Sequence, residues 1–195
     1  MKRFLIIFTA VLLCTVGCKR STSEMNKDFL QLASDRYSVR SFDSTAVSRD
    51  IIDKILQAGR LAPTAVNSQP QKIYLVKSPE AMAKLRTISP CMYGAPHCFI
   101  LCYDDARVCR RGENGNYGDI DVTIVLTHMA LEAANLGVGT CIVGYFDPAR
   151  LSAEFNLPEN IHPVLLLPFG YPAAGCTPAE RHGDRRELSE TVECL

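Results

Sequence analysis

The chain has 195 residues, 47% of them hydrophobic and 22% charged, with a formal net charge of zero. That composition fits one globular domain with a sizeable core and excludes a disordered or strongly charged chain. Zero net charge leaves no electrostatic footprint for nucleic acid, and no nucleic-acid partner is expected.

Lys2 and Arg3 precede an almost unbroken apolar run over residues 4–16. The run is too short to span a bilayer and suits the apolar region of a signal peptide. It ends in Thr15-Val16-Gly17-Cys18, which resembles a bacterial lipoprotein signal cleaved before Cys18 and lipidated on that residue. Such signals usually carry Leu three residues before the cysteine; here Thr15 stands there. An ordinary signal peptide (a periplasmic protein) and an apolar N-terminus packed in a cytoplasmic fold are the alternatives. Residues 1–17 are therefore read as a signal peptide, 18–27 as a polar tether and 28–195 as the folded domain. The expected location is the bacterial cell envelope, with the membrane met only through the N-terminal lipid anchor.

In the domain, residues 28–34 read as the end of an opening helix. Arg36-Tyr37-Ser38-Val39-Arg40 alternates polar and apolar, so an extended backbone puts Arg36, Ser38 and Arg40 on one side. Two guanidiniums and a hydroxyl facing one way suit an anion or a carbonyl-rich ligand; a solvated edge is the plainer alternative. Ser48 is a good N-cap for a helix over Arg49–Leu61, with Ile51, Ile52, Ile55, Leu56 and Gly59 on one face. A strand is expected at Gln71–Val76. Ser78-Pro79-Glu80 opens a helix running to about Arg86.

Residues 98–103 read as a second strand with Cys98 and Cys102 on one face. Residues 104–118 form a long polar loop carrying Arg107, Arg110 and Arg111, a candidate lid or recognition loop. The strongest helix pattern covers residues 119–136, with Val122, Val125, Leu126, Met129, Ala130 and Ala133 inward and Gly137 as its stop. A short strand follows at residues 139–145, a helix capped by Asp147 runs to Phe155, and a last strand covers residues 164–169. Residues 188–195 are expected to be extended. Helices separating strands argue an α+β sandwich with a mixed central sheet.

The chain has nine cysteines, which in an exported protein raises the question of disulfides. Without Cys14 and Cys18 seven remain, so at least one is unpaired. His97 beside Cys98 and Cys102 matches no standard zinc spacing, and no metal is expected.

The stretch Leu61 to Pro70 is the most distinctive. Pro63 and Pro70 restrict the backbone and bracket small and amide residues, which predicts an extended, rigid corner that something flat could approach. Asn67 and Gln69 each donate and accept, which suits a planar ligand edged with carbonyls and ring nitrogens. A plain helix-to-strand connector is the alternative.

Several segments, in order, resemble the nitroreductase family of FMN-dependent oxidoreductases. Ala62-Pro63-Thr64-Ala65-Val66-Asn67-Ser68-Gln69-Pro70 is similar to the family's Pro-Ser-Ser-x-Asn-x-Gln-Pro segment. Arg36-x-Ser38-x-Arg40 resembles its N-terminal Arg-x-Ser-x-Arg signature. Residues 134–144 resemble its Ala-x-x-x-Gly-x-Gly-Thr-x-x-x-Gly segment, Phe169-Gly170-Tyr171-Pro172 a strand end, and Arg185-Arg186-Glu187-Leu188 the C-terminal Arg-Lys-Pro-Leu. The resemblance spans residues 28–192. It implies FMN at a homodimer interface, with Arg36, Ser38 and Arg185 near phosphate and ring and Arg40 at the pyrimidine edge. Pro63, Thr64, Ala65 and Asn67 would reach the flavin from the partner subunit, and Cys141, Ile142, Val143 and Gly144 would lie beside its reactive edge. Thr64 and Ala65 replace the family's serines, which removes one hydroxyl near the ring.

The function so implied is hydride transfer through flavin N5, from NAD(P)H or another electron donor, to a nitroaromatic, quinone or similar small-molecule acceptor. No obligatory acid or base side chain is assigned. The alternatives are a reductive dehalogenase on the same fold, with residues 104–118 as lid, and a non-catalytic flavin-binding or redox-sensing lipoprotein using Cys91, Cys98 and Cys102. A thiol or metal protein without flavin is a third. An exported protein meets little NADH or NADPH, so the motifs speak for FMN more firmly than for any donor.

Overall fold

A computed structural model describes residues 28–195. The expected leader and Cys18 lie outside the described residues. The elements are α1 (Phe29–Asp35), α2 (Arg49–Leu61), β1 (Gln71–Val76), α3 (Pro79–Ile88), β2 (His97–Asp104), α4 (Gly118–Asn135), β3 (Gly139–Thr140), α5 (Pro148–Phe155), β4 (Ile161–Gly170) and α6 (Leu188–Thr191). Among the described residues no helix is long and apolar enough to cross a membrane.

The four strands form one sheet in the order β1-β2-β4-β3. All three pairings are antiparallel. The expected mixed character reduces to one parallel bridge, Ser38 with Thr140, outside the named strands. Period-2 alternation sends Phe99, Leu101, Leu167 and Phe169 to one face, where α2 and α4 cover them. Phe99 and Phe169 stack there at 4.5 Å. Cys98, Ile100, Cys102 and Leu166 fill the other face beneath Met82 and Leu85 of α3 and Leu151 of α5. The result is an α+β sandwich of three layers.

Local signals explain most boundaries. The Ser78 side chain accepts from Ala81 N, and the Asp147 carboxylate accepts from Ala149 N and Arg150 N. Gly137, at φ +75°, ends α4 as only a residue tolerant of that conformation does easily. Gly59 lets α2 approach α4, because a Cβ there would sit 2.8 Å from Met129 Cγ.

Two expected elements are corrected. The strand foreseen over residues 139–145 stops at Thr140. Cys141 N still donates to Pro168 O, but Pro168 has no N–H to return, so the ladder lapses until Val143 bridges Leu166. The tail foreseen as extended contains the single helical turn α6, closed by Val192 N to Leu188 O. The loop over residues 104–118 is folded back on itself. Arg110 bridges Asn116, Arg111 lies over the Tyr117 ring, and Arg110 pairs with Asp105 at 2.7 Å.

His97 is buried with its Nε2 accepting from Val47 N at 3.2 Å, while Nδ1 has no partner. It faces Phe169, away from Cys98 and Cys102, so the three do not converge. Burial, then the charge of Lys77, lowers its pKa. The folded state therefore holds His97 neutral while the unfolded chain protonates it below about pH 6.5. Stability is full above that pH and falls as pH drops toward the depressed folded value. Asp43 and Asp104, whose pKa values are lowered by hydrogen bonds, act in a separate and more acidic window. Thermal midpoints measured from pH 7 to pH 5 should fall for the wild type and fall less for His97→Gln, which keeps an acceptor for Val47 N.

Candidate active site

The segment after α1 lies along the start of β3. Val39 N donates to Thr140 O at 2.9 Å, and the Val39 side chain is buried. This close approach depends on Gly139, where a Cβ would sit 2.6 Å from Val39 Cγ2. With Val39 turned inward, Arg36, Ser38 and Arg40 share one side, as alternation predicts.

They meet the C-terminal segment there. Arg36, Tyr37, Ser38, Arg40, Ala179, Arg181, His182 and Arg185 line a cleft of about 230 Å³. Ring nitrogen Nε2 of His182 bonds Ser34 O at 2.9 Å and ties this segment to the end of α1. Arg185 Nη1 donates to His182 O and to Asp184 O, both at 2.7 Å. Four guanidiniums thus line a cleft that no carboxylate lines. Among the described residues the ion pairs are Arg49–Asp53 and Arg110–Asp105, so none of the four has a counter-ion. Like charges gathered without compensation repel one another, and an anion removes that cost.

Cys141 adjoins this cleft. Burial pushes its thiol pKa up, against the opposing pull of Arg40 and a hydrogen bond with Ser38. Beyond it Val143 is buried, while Ile142 and Gly144 are exposed. The Tyr93 hydroxyl bonds the Cys91 thiol, which with burial raises its pKa, and it also meets Arg40.

The corner is elsewhere. Its centre is not extended, as the two prolines suggested, but a tight turn over Ala65–Asn67. Val66, Asn67 and Gln69 all have positive φ, at 47°, 55° and 48°. Such values cost non-glycine residues energy and cluster at functional sites. Pro63 and Asn67 are exposed, Thr64 and Ala65 half-buried. Ala65 N donates to Asp121 Oδ1 at 2.9 Å, in the first turns of α4. Ser68 Oγ, Gln71 Oε1 and Asp121 Oδ2 are buried without partners.

Sequence-predicted residues therefore fall into two groups. Arg36, Ser38, Arg40 and Arg185 come together, with the segment from Cys141 to Gly144 beside them. Pro63, Thr64, Ala65 and Asn67 lie at the other end of α4. The arginine segment lines one cavity with Ala134 and Gly137, and the corner bonds Asp121. Thirteen helical residues separate Asp121 from Ala134, about 20 Å at 1.5 Å per residue. Sequence reading missed Arg181, His182, Tyr93 and Asp121. Asp121 carried a signal, since it stands in line with Val125, Met129 and Ala133 on the buried stripe of α4.

Comparison with known proteins gives consistent matches. The family model described as the nitroreductase family matches residues 33–91 and 86–171. A Methanothermobacter thermautotrophicus protein named "Putative NADH dehydrogenase/NAD(P)H nitroreductase" is 30% identical over 82% of this chain and 84% of its own. A Bacillus subtilis protein named FMN reductase [NAD(P)H] is 25% identical, over 76% of this chain and 66% of its own length. The crystal structure of a nitroreductase family protein from Clostridium difficile superimposes with a TM-score of 0.80 at 36% identity, covering 85% of this chain and 97% of that one.

Gly139→Ala should destabilise the fold by about 1–3 kcal/mol, because the stiff Val39 side chain must move with its backbone. Gly183→Ala, with open space around it and φ −82°, should change little. Urea denaturation midpoints of the two variants check this difference.

Proposed function

This chain belongs to the nitroreductase family and is an oxidoreductase, and we propose on that premise that it is an FMN-dependent enzyme using NAD(P)H as donor. The observation that carries the cofactor assignment is the cleft of four guanidiniums without a counter-ion. It fits a phosphate monoester, which carries about −1.5 to −2 charges at neutral pH. Arg36, Arg181 and Arg185 would hold that phosphate, and Ser38 and Arg40 would face the ring. The exposed Gly144 leaves room beside Ile142 for a planar group. When bound, FMN supplies hydride acceptance and release at N5. The chain's own residues bind and orient; Arg40 adds a cation where the reduced pyrimidine gathers negative charge. The acceptor proposed is a nitroaromatic, quinone or similar compound.

The working unit is a homodimer on this reading. One protomer cannot bring its corner to its own arginine cleft across the length of α4, so a second copy supplies the corner. Leu188, Val192 and Leu195 of the tail are exposed and available to that copy. The redox-sensing alternative is disfavoured, since Cys98 and Cys102 are wholly buried in the sheet. The dehalogenase alternative is not favoured by the folded segment at residues 104–118. We further propose that the mature chain is held at the envelope by lipid on Cys18, on the strength of Lys2, Arg3 and the apolar run that follows.

Purified protein should be yellow, release FMN rather than FAD on denaturation, and sediment as a dimer. Colourless protein that FMN cannot reconstitute, or a flavin-loaded monomer, would overturn the reading.

Substitution should separate the two ends of the cofactor. Arg185→Ala should weaken FMN binding about 10- to 100-fold in either redox state, because the phosphate charge is constant. Arg40→Ala should lower the flavin midpoint potential while changing FMN affinity less. Dissociation constants and midpoint potentials of both variants decide the matter.

A further inference from the structure

Among the described residues, the only hydrogen bond joining residues 64–69 to another element runs from Ala65 N to Asp121 Oδ1. The corner's other bonds are internal: Asn67 N to Thr64 O, Ser68 N to Ala65 O, Gln69 N to Thr64 Oγ1 and Gln69 Nε2 to Asn67 O. A turn with three left-handed non-glycine residues persists only where something fixes it. Asp121 is that anchor. Its carboxylate is 1% exposed, and its second oxygen has no partner. An acid so placed among Val122, Val125 and Met129 is a poor choice for packing, since burying an unpaired oxygen costs free energy that an apolar residue would not.

We infer that Asp121 is a positioning residue that fixes the corner in the geometry one protomer presents to its partner's FMN. The inference rests on the dimeric, FMN-binding reading above. It makes each Asp121 act across the interface, on the site built by the other chain's arginine cleft. Its own cleft, some thirteen helical residues away, does not feel it.

Two features set the test. Leu is close to Asp in shape and leaves only Ala65 N–H unpartnered. Asn keeps an acceptor for that N–H. The wild type is first checked for FMN binding and dimerisation; failure there removes the functional reading and is seen before any variant is made. Asp121→Leu should keep or raise the thermal midpoint of the FMN-free protein, yet weaken FMN binding about 10- to 100-fold and alter the flavin's visible circular dichroism. Asp121→Asn should restore affinity to within about threefold. Ala65→Pro removes the donor instead, at the first position of the turn and after an extended Thr64, and should reproduce the loss if Asp121→Leu does not fold. Mixed dimers of Asp121→Leu with Arg185→Ala should regain one tight FMN site per dimer, made from the intact cleft of one chain and the intact corner of the other. Wild-type affinity in Asp121→Leu or Ala65→Pro, no rescue by Asn, or no tight site in the mixed dimer would each overturn the inference.

Discussion

The packing of α4 against the sheet governs the arrangement of everything else. Val122, Val125, Leu126, Met129, Ala130 and Ala133 are all buried, so the helix is closely packed along most of its length. One end bonds the corner through Asp121, and the other borders, at Ala134 and Gly137, a cavity that the arginine segment also lines. The helix thus holds the corner and the arginine segment a fixed distance apart. Neither resembles a finished pocket: one has cations without an anion, the other a strained turn with buried oxygens left over. On the proposed dimeric reading, the cleft of one copy pairs with the corner of another, and each supplies what the other lacks.

The cleft is assembled from chain segments that have little to hold them otherwise. Residues 36–40 follow a helix of seven residues with none buried, and residues 179–185 form no more than a short turn. What fixes them is specific: Val39 pressed on Gly139, Val39 N on Thr140 O, and the His182 ring on Ser34 O. The rigid sheet lends its order to β3, β3 to the arginine segment, and α1 to the C-terminal segment. A bound anion would complete the chain by joining the two segments through their guanidiniums.

Much of this was legible in the sequence because the signals were local. β1 matched its expected bounds, α2 matched, and α4 differed by one residue at each end, since apolar periodicity and end signals agree there. Arg36, Ser38 and Arg40 share a side because alternation alone requires it. What escaped depends on partners distant in sequence. The lapse of β3 follows from Pro168, twenty-eight residues beyond Thr140. The corner's one bond to another element, among the described residues, goes to Asp121, fifty-six residues beyond Ala65. Two prolines describe the entry and exit of that corner but not its centre. Arg181 and His182 were hidden in a charged run whose orientation only the Ser34 contact reveals.

The thiols agree with the proposed reading, in which redox chemistry would belong to a bound cofactor rather than to cysteine. The seven described cysteines are free, and Cys98, Cys102 and Cys141 are buried. Reactivity follows the thiolate, and burial opposes it. Burial raises the pKa of Cys98 far above the usual thiol range and pushes that of Cys102 up to about 12. Cys98 and Cys102 therefore serve as small apolar residues, filling one face of β2 beneath α3 and α5. Cys141 is the instructive case, since it borders the arginine cleft and Arg40 pulls its pKa down. Desolvation still outweighs that pull, so the thiol stays protonated. A protonated, buried sulfur acts as a small apolar contact, and an oxidant attacks it slowly.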